Sequence, residues 1–503
     1  MMQVRTSAAC DSDERDRTGS EMTRPPIDID VAAIGTGQAV PALVTALAAG
    51  GEVVVVFESG EVGGSCVNVG CTPTKTLRKT ARVAYLARRA RDFGVIVSDV
   101  TIDMEAAMLR VATMVAASRT GLESRMSGTQ GLQLVRARAS LRGRAGDRFV
   151  IVAGEETYHA ARVYLNVGTS PTIPSVPGLA ASGPLTNESI LSLRAVPAHL
   201  IIIGGSYIGL EFAQIFRRLG SAVTVLEGSA AIANRETGDI SARLTTMLEA
   251  EGIAIRARVA VAEVERRPDG AVHVRLTSGD TVVGSHLLVA TGRTPNTEGL
   301  GLETVGVDLD PQGYVPVDGA LETSVRGIWA LGDVNRRGAF THTAWQDHEI
   351  VLANLRGGAR SADGRVTTYA MYTDPPLGRI GMNEIEARAA QASGRRFLFA
   401  EQEMSRVSRA KEEGETIGVI RVLVDADTHR FAGITMLGIN ADEVVQVVGA
   451  MMAADAPYEL LRDMLPVHPT VTEFLPTMLG TLAPLMPDRV DPPTAASASS
   501  RGR

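Results

Sequence analysis

The sequence has little of what several functional classes require. Lys and Arg number 50 against 57 Asp and Glu, and the net charge of −7 argues against nucleic acid as the main partner. One uncharged stretch, residues 31–51, is long enough to cross a bilayer, but glycines, Gln38 and Pro41 interrupt it. We therefore expect no membrane partner and no membrane-spanning segment.

The first residues also lack the apolar core of a secretory signal, so we expect a cytoplasmic protein. Residues 1–26 and 487–503 are polar, charged or rich in small residues, and we predict that both are disordered tails. Either Met1 or Met22 could start translation. The 503 residues exceed what one hydrophobic core usually organises, which predicts two to four domains.

A glycine-rich turn after the first apolar segment is typical of a dinucleotide-binding fold. Gly35 and Gly37 separate a short strand from an Ala-rich helix, and the next strand ends at Glu58, 23 residues after Gly35. The first glycine makes a tight turn, the second lets a pyrophosphate approach the helix, and the acid binds a ribose hydroxyl. Val40 stands where the motif has Gly or Ala, so this match is weak when taken alone.

A second copy of the pattern starts at residue 199. Gly204, Ser206 and Gly209 occupy the motif positions, and the following strand ends at Glu227. Two such folds predict two dinucleotides, and a flavin facing a nicotinamide is the natural pair. Glu227 favours NADH because a 2′-phosphate would meet like charge, while Arg235 leaves NADPH open.

Two of the three cysteines lie in GGSCVNVGCTPTK, residues 63–75. Structural zinc sites gather four Cys or His ligands at short spacings. Here Cys10 lies in the predicted tail and the eight histidines form no neighbouring cluster, so we predict no metal. In the cytoplasm, a redox role also fits the pair better than a permanent disulfide or two inert thiols.

The spacing of Cys66 and Cys71 constrains the backbone between them. In a regular helix, residues five apart have Cα atoms about 8–9 Å apart, beyond the limit of about 7 Å for a disulfide. A Cys66–Cys71 bond therefore requires a distorted turn, which Gly70 and Pro73 favour. Such a bond should open and close easily, and a helix N-terminus with Lys75 nearby stabilises a thiolate.

The cysteine segment resembles the active-site motif of the class I pyridine nucleotide–disulfide oxidoreductases, G-G-x-C-x-N-x-G-C-x-P-[ST]-K, at every fixed position. Three later segments are similar to that family in the same order: LLVATGRTPNTEGLGLETVGV from residue 287, GIWALGDV at 327–334 and HPTVTE at 468–473. The resemblance covers nearly all of residues 27–486. It implies a flavin-dependent enzyme acting on a sulfur group.

The resemblance also implies an α/β fold with two doubly wound dinucleotide-binding domains, for FAD and NAD(P), and a C-terminal α/β dimerisation domain. The expected limits are 27–175 and 305–368 for the two parts of the FAD domain, 176–304 for the NAD(P) domain and 369–486 for the dimerisation domain.

The family's catalytic roles can be carried over by motif. Cys71 would lie against the flavin, and Cys66 would attack the external substrate. Lys75 would pair with Glu211 beside the flavin. The acid–base dyad would consist of His468 and Glu473, and in this family the dyad reaches the partner subunit's cysteines, which implies a homodimer.

The same resemblance predicts the cofactor-binding residues. Asp333 would hold the ribityl chain, and Tyr207 would cover the flavin until NAD(P)H enters. The full predicted set is Gly35, Gly37, Glu58, Gly64, Ser65, Lys75, Gly168, Gly204, Tyr207, Gly209, Glu227, Gly292 and Asp333.

The substrate is less clearly indicated. CTPTKTL and HPTVTEFLPTML resemble the mercuric-reductase-like branch, which includes bacterial flavoproteins linked to reactive-chlorine and metal stress. Mercuric reductases, however, carry a C-terminal cysteine pair, an N-terminal C-x-x-C domain and a tyrosine at the position of His468, and this sequence has none of these. We therefore predict a small disulfide or another thiophilic oxidant as the substrate.

Four alternatives stay open, and one of them is a mercuric or metal-ion reductase that lacks the C-terminal cysteine pair. Dihydrolipoamide dehydrogenase needs the His468–Glu473 dyad and NAD, which agrees with Glu227. Glutathione reductase is disfavoured because Glu227 stands where that enzyme has basic residues for NADPH. A flavoprotein binding partner without turnover is the non-enzyme alternative, and Val40 and Ser206 are its only local support.

Overall fold

The computed structural model describes residues 25–486. The predicted disordered tails therefore lie outside the described residues, except for residues 25 and 26, which are exposed coil. None of the described helices combines the length and the apolar character needed to cross a membrane.

The first part of the chain forms a unit of helices around a mainly parallel sheet. Its elements are β1 (Ile27–Ile34), α1 (Val40–Ala49), β2 (Val54–Phe57), α2 (Gly64–Asn68), α3 (Cys71–Arg88), α4 (Met104–Ser127), β3 (Leu132–Val135), β4 (Ala139–Ala145), β5 (Arg148–Ala153), β6 (Glu156–Leu165) and β7 (Thr169–Pro171). The second half of β1, Val31–Ile34, and all of β2 are continuous buried apolar runs, as expected where helices cover both faces of a parallel sheet.

The middle of the chain repeats this plan. Its elements are β8 (His199–Ile203), α5 (Tyr207–Leu219), β9 (Ala222–Leu226), α6 (Gly238–Ala250), β10 (Ile253–Arg256), β11 (Val261–Arg266), β12 (Val272–Leu276), β13 (Thr281–Gly284), β14 (His286–Val289) and β15 (Arg293–Pro295). A parallel sheet has the order β10-β9-β8-β14, and β11-β12-β13 form a separate antiparallel sheet. Strand β15 returns to pair with β7.

The chain then completes the first sheet with β16 (Ile328–Ala330), followed by α7 (Thr341–Leu355). The first sheet has the order β3-β2-β1-β6-β5-β4, and β16 pairs in parallel with the last residues of β6. The carboxyl ends of β1, β2, β6 and β16 therefore meet at one edge, which is where open α/β sheets bind ligands.

The C-terminal unit is an antiparallel sheet with helices. Its elements are β17 (Thr368–Met371), β18 (Leu377–Gly381), α8 (Glu384–Gln391), β19 (Phe397–Glu403), α9 (Ser408–Glu412), β20 (Val419–Asp425), β21 (Phe431–Leu437), α10 (Ala441–Ala453), α11 (Tyr458–Arg462), α12 (Phe474–Leu479) and β22 (Ala483–Pro484). The strand order is β17-β18-β21-β20-β19-β22. The predicted fold class, two doubly wound domains followed by a C-terminal α/β domain, is confirmed.

Candidate active site

A cavity of about 900 Å³ opens where β1, β2, β6 and β16 end. This volume lies in the upper part of the usual range for cofactor and ligand sites, about 300–1,000 Å³. Nine of the sequence-predicted cofactor residues line it: Gly35, Gly37, Glu58, Gly64, Ser65, Lys75, Gly168, Tyr207 and Asp333. Residues of the first sheet, of α3 and of α5 thus meet in one space.

The two glycines of the first turn are packed too closely to carry a side chain. Gly35 has a φ of +91°, and a Cβ there would clash with the carbonyl oxygen of Asn166. A Cβ on Gly37 would lie 2.5 Å from Asn166 Oδ1. Asn166 donates through Nδ2 to the Leu331 carbonyl at 2.6 Å, while its buried Oδ1 has no hydrogen-bond partner. Two glycines that cannot carry a side chain, beside an unpaired acceptor, fit a dinucleotide such as FAD.

The acid after β2 faces the same turn. Glu58 Oε2 accepts from the Thr36 N–H at 2.9 Å and from the Thr36 hydroxyl at 2.5 Å. Its Oε1 accepts from the Gly60 N–H at 2.8 Å. The carboxylate is thereby fixed at the end of β2 on the cavity wall, where the sequence predicted contact with a ribose.

The second glycine turn has the same construction. Gly204 has a φ of +111°, and a Cβ on Gly204 or on Gly209 would clash with a backbone carbonyl oxygen. Glu227 accepts from the N–H groups of Gly205 and Ser229, both at 2.6 Å. Gly204, Gly209 and Glu227 lie outside the cavity. Tyr207, the first residue of α5, follows this turn and lines the cavity.

The two cysteines lie on different helices. Cys66 is in α2, Cys71 begins α3, and Gly70 between them has φ −125° and ψ −116°, outside the helical range. A Cβ on Gly70 would come within 2.7 Å of the Ser65 carbonyl oxygen and 3.1 Å of Cys66 Cα. The predicted break in the helix is therefore present. Both cysteines are free thiols that line the cavity.

The environment makes the two thiols unequal. The hydrogen bond from Cys66 lowers the pKa of Cys71 to about 6, assisted by Thr341 and Lys75 and opposed by burial. The same hydrogen bond, together with burial, raises the pKa of Cys66. Thr341 Oγ1 lies 3.2 Å from Cys71 Sγ. These effects favour the thiolate at Cys71 and the protonated thiol at Cys66.

Lys75 and Glu211 form an ion pair beside the cysteines. Lys75 Nζ lies 2.7 Å from Glu211 Oε2. Lys75 is one turn after Cys71 on α3, and Glu211 is buried on α5, so the packing of these two helices brings the pair together. The ammonium is close enough to Cys71 to favour its thiolate form.

Asp333 is a mostly buried acid at the other side of the cavity. Its Oδ2 accepts from the Thr169 hydroxyl at 3.1 Å. Burial raises its pKa, while the nearby charge of Arg293 acts in the opposite direction. Arg293 itself donates through Nε to Thr169 Oγ1 at 2.7 Å. Gly292, just before β15, accepts from Thr172 N–H at 3.0 Å and does not line the cavity.

The predicted dyad is formed, but away from the cysteines of its own chain. His468 Nδ1 lies 2.8 Å from Glu473 Oε2. The Glu473 side chain is 12% exposed and the imidazole 75% exposed, and neither residue lines the cysteine cavity. Thr470 holds the loop between them by accepting from the Glu473 N–H at 3.1 Å and donating to the Val467 carbonyl at 2.9 Å.

The sequence did not single out several residues of the site, namely Thr36, Asn166, Arg293, Thr341 and Tyr372. Asn166 and Arg293 follow buried strands, close to the predicted Gly168 and Gly292. Their position after a strand could therefore have marked them as site residues. No such signal marks Thr341 or Tyr372. Within residues 25–486, no group of three or more His, Cys, Asp or Glu side chains is arranged to hold a metal ion.

Comparison with known families agrees with this geometry. Residues 29–347 match the family described as pyridine nucleotide-disulphide oxidoreductase, and residues 367–479 match the dimerisation domain of that family. The second match supports a homodimer.

Individual relatives cover almost the whole chain. The probable pyridine nucleotide-disulfide oxidoreductase RclA of Escherichia coli is 32% identical over 449 residues, covering 88% of this chain and 96% of its own. The mercuric reductase of Streptomyces lividans is 33% identical, covering 89% and 94%. The dihydrolipoyl dehydrogenase of Thermus scotoductus is also 33% identical, covering 89% and 95%.

Among solved structures, the Cu(II) complex of the HOCl-induced flavoprotein disulfide reductase RclA from Escherichia coli superimposes with a TM-score of 0.82 at 30% identity, covering 90% of this chain and 100% of that one. Members of the family depend on FAD and use NAD(P)H. The chain therefore belongs to the pyridine nucleotide-disulfide oxidoreductase family and is a flavin-dependent enzyme of that class.

Proposed function

We propose that this enzyme uses NAD(P)H to reduce a small disulfide, or another thiophilic oxidant, through Cys66 and Cys71. The observation that carries the proposal is the pair of free thiols on the wall of the cavity, with Thr341 Oγ1 3.2 Å from Cys71 Sγ and the Lys75–Glu211 ion pair lining the same cavity. Bound FAD supplies the two-electron link between the nicotinamide and this pair. The residues that line the cavity, including Gly37, Glu58 and Asp333, would hold it.

The chemistry at the cysteines is thiol–disulfide exchange. Two electrons open the Cys66–Cys71 bond. Cys66, as a thiolate, then attacks one sulfur of the substrate, forming a mixed disulfide and releasing the first substrate thiol. Cys71 attacks Cys66 Sγ, releases the second thiol and restores the internal bond. The balance is NAD(P)H, a proton and one disulfide converted to NAD(P)⁺ and two thiols.

Cys66 needs a base for this step because its pKa is raised. His468 is the proposed base, and it would later protonate the leaving thiolate. Glu473 orients the imidazole through Nδ1. Since the dyad lies outside the cavity of its own chain, we propose that His468 of the partner subunit serves Cys66.

Two further features support the shared site. Apolar side chains just before His468 are exposed, with Leu465 94% and Val467 76% accessible in the single chain. Exposed apolar side chains that lie next to each other are typical of surfaces that bind another protein. Helix α12, which follows Glu473, lies in the region that matches the dimerisation domain.

A sulfur substrate fits the dyad better than a metal ion does. A leaving thiolate gains from a proton donor, whereas reduction of Hg(II) does not require one. The sequence also has no cysteine after Cys71 that could deliver a metal ion. We propose NADH as the preferred nicotinamide because the Glu227 carboxylate would repel the 2′-phosphate of NADPH.

We also propose that the domains are divided at residues 175, 304 and 368 and that the enzyme is cytoplasmic. A thiol pair that is rereduced by NAD(P)H needs a compartment that supplies this nucleotide and keeps thiols reduced.

The test is steady-state turnover with NADH and with NADPH against lipoamide, glutathione disulfide, Hg(II), Cu(II), quinones and oxygen. Cu(II) belongs in the panel because the solved E. coli relative is described as a Cu(II) complex. We expect at least one disulfide to be reduced and His468→Ala to abolish that activity. Efficient Hg(II) or Cu(II) turnover that survives His468→Ala, with every disulfide inactive, would overturn the sulfur assignment.

A further inference from the structure

Tyr372, which follows β17, contacts both members of the ion pair beside the cysteines. Lys75 Nζ lies 4.6 Å from the centroid of the Tyr372 ring, within the range of about 6 Å for a cation–π contact. The Tyr372 backbone N–H donates to Glu211 Oε1 at 2.8 Å, while Glu211 Oε2 binds Lys75. Tyr372 also lines the cavity that contains Cys71.

The backbone of Tyr372 is anchored without help from its side chain. Asp374 donates through its N–H to Gln214 Oε1 at 2.7 Å, and its carboxylate binds Arg82 at 2.9 Å and also Arg218. Gln214 and Arg218 stand three and seven residues after Glu211, so all three lie on one face of α5. A substitution that changes only the Tyr372 ring therefore leaves this attachment in place.

The ring and the carboxylate act differently on the lysine. Glu211 fixes the ammonium but adds a negative charge, which opposes ionisation of Cys71. An aromatic face attracts the ammonium without adding a net charge. The Lys75 side chain is 34% exposed, so the ring and Glu211 together limit how far the ammonium can turn towards water. Arg78 lies farther from the same ring, at 5.9 Å, and donates to the Thr373 carbonyl at 2.8 Å.

We propose that Tyr372 is a positioning residue, whose ring holds the Lys75 ammonium where it stabilises the Cys71 thiolate. This inference rests on the proposed role of Cys71. The phenol itself makes no hydrogen bond with another of the described residues, so the ring rather than the hydroxyl is assigned the role.

The experiment is a pH titration of the flavin-loaded protein in the Cys66→Ser background, where Cys71 cannot form the internal disulfide. The thiolate is followed by its long-wavelength charge-transfer absorbance, and alkylation of Cys71 by iodoacetamide is measured in parallel by mass spectrometry. We expect Tyr372→Leu to raise the midpoint by about half a unit to one unit. Tyr372→Phe and Tyr372→Trp should keep it within about 0.3 unit, since both retain an aromatic face.

A double-mutant cycle tests the route through the lysine. Adding Tyr372→Leu to Lys75→Met should cause no further shift, because the ring then has no ammonium to hold. The proposal is wrong if Tyr372→Leu titrates like Tyr372→Phe, or if Tyr372→Phe shifts the midpoint as much as Tyr372→Leu. A further shift on the Lys75→Met background would also overturn it. If Tyr372→Leu does not fold, Tyr372→Met replaces it with a flexible side chain that also lacks a ring.

The Cys66→Ser protein with an intact Tyr372 is the parent of this series. Its titration distinguishes a failure of the inference about Tyr372 from a failure of the proposed function. If the Cys66→Ser parent shows no thiolate titration, or if the band survives in Cys71→Ser, the assignment of Cys71 fails. If the parent titrates as expected and the Tyr372 substitutions leave its midpoint unchanged, only the inference about Tyr372 is wrong.

Discussion

Replacing Cys66 by alanine should raise the pKa of Cys71. The Cys66 thiol is the largest cause of the low pKa of Cys71, about 6, because it donates a hydrogen bond to the thiolate. Hydrogen bonds to charged groups contribute about 1.5–3 kcal/mol, and one pKa unit corresponds to about 1.36 kcal/mol. Because Cys71 is exposed to the cavity, we take the low end of this range. Cys66→Ala should then titrate about one unit higher.

The sign of the effect follows from the charge of the thiolate. A thiolate exists above its pKa, so the charge-transfer absorbance of the flavin-loaded protein should disappear as the pH falls. Cys66→Ser, whose hydroxyl can still donate, should lose the band near pH 6. Cys66→Ala should lose it near pH 7, so that at this pH about half rather than about nine-tenths of Cys71 is ionised.

The assay is an absorbance titration of both variants between about pH 4.5 and 9, and the variants are matched because neither can form the internal disulfide. Equal midpoints for Cys66→Ala and Cys66→Ser would refute the assignment of Cys66 as the donor. A band that disappears in Cys66→Ser but persists in Cys71→Ser would reverse the roles of the two cysteines.

Three other substitutions test neighbouring parts of the site. Lys75→Met should raise the midpoint of the same titration in the Cys66→Ser background, since the ammonium favours the thiolate. An unchanged midpoint would show that Lys75 does not stabilise the Cys71 thiolate. Gly70→Ala should lower the free energy of unfolding by about 1–3 kcal/mol and slow closure of the disulfide, because the new Cβ would lie 2.7 Å from the Ser65 carbonyl oxygen. Chemical denaturation would measure the loss of stability, and a thiol assay would measure the rate of disulfide closure. His468→Ala should abolish turnover of disulfides but leave reduction of the flavin by NADH at its normal rate in stopped-flow measurements, and a parallel loss of both would contradict an acid–base role confined to the substrate.

Features encoded by short segments were predictable from the sequence. The glycine motif at residue 35 and the break at Gly70 each depend on residue types and spacing within a short segment, which are sufficient to predict the local structure. The two dinucleotide folds were predictable for the same reason, since each motif lies within one βαβ unit. The contact of His468 with Glu473 was indicated by the family resemblance.

Contacts between distant segments were harder to predict. Thr341 reaches Cys71 across 270 residues, and Tyr372 reaches Glu211 across 161 residues. A threonine or a tyrosine carries no local mark of such a role, because the packing of α3, α5, α7 and the segment after β17 creates it. The Lys75–Glu211 contact is equally distant, and only the family resemblance indicated it.

Counting thiols after reduction by the nicotinamide tests directly whether electrons pass through Cys66 and Cys71. The oxidised, flavin-loaded enzyme is mixed anaerobically with one equivalent of NADH, quenched with an alkylating reagent and analysed by mass spectrometry. We expect two new thiols per chain, at Cys66 and Cys71, and their loss when a disulfide substrate is added before the quench. If both cysteines stay in the disulfide while the flavin alone is reduced and the substrate is still turned over, electrons do not pass through this pair.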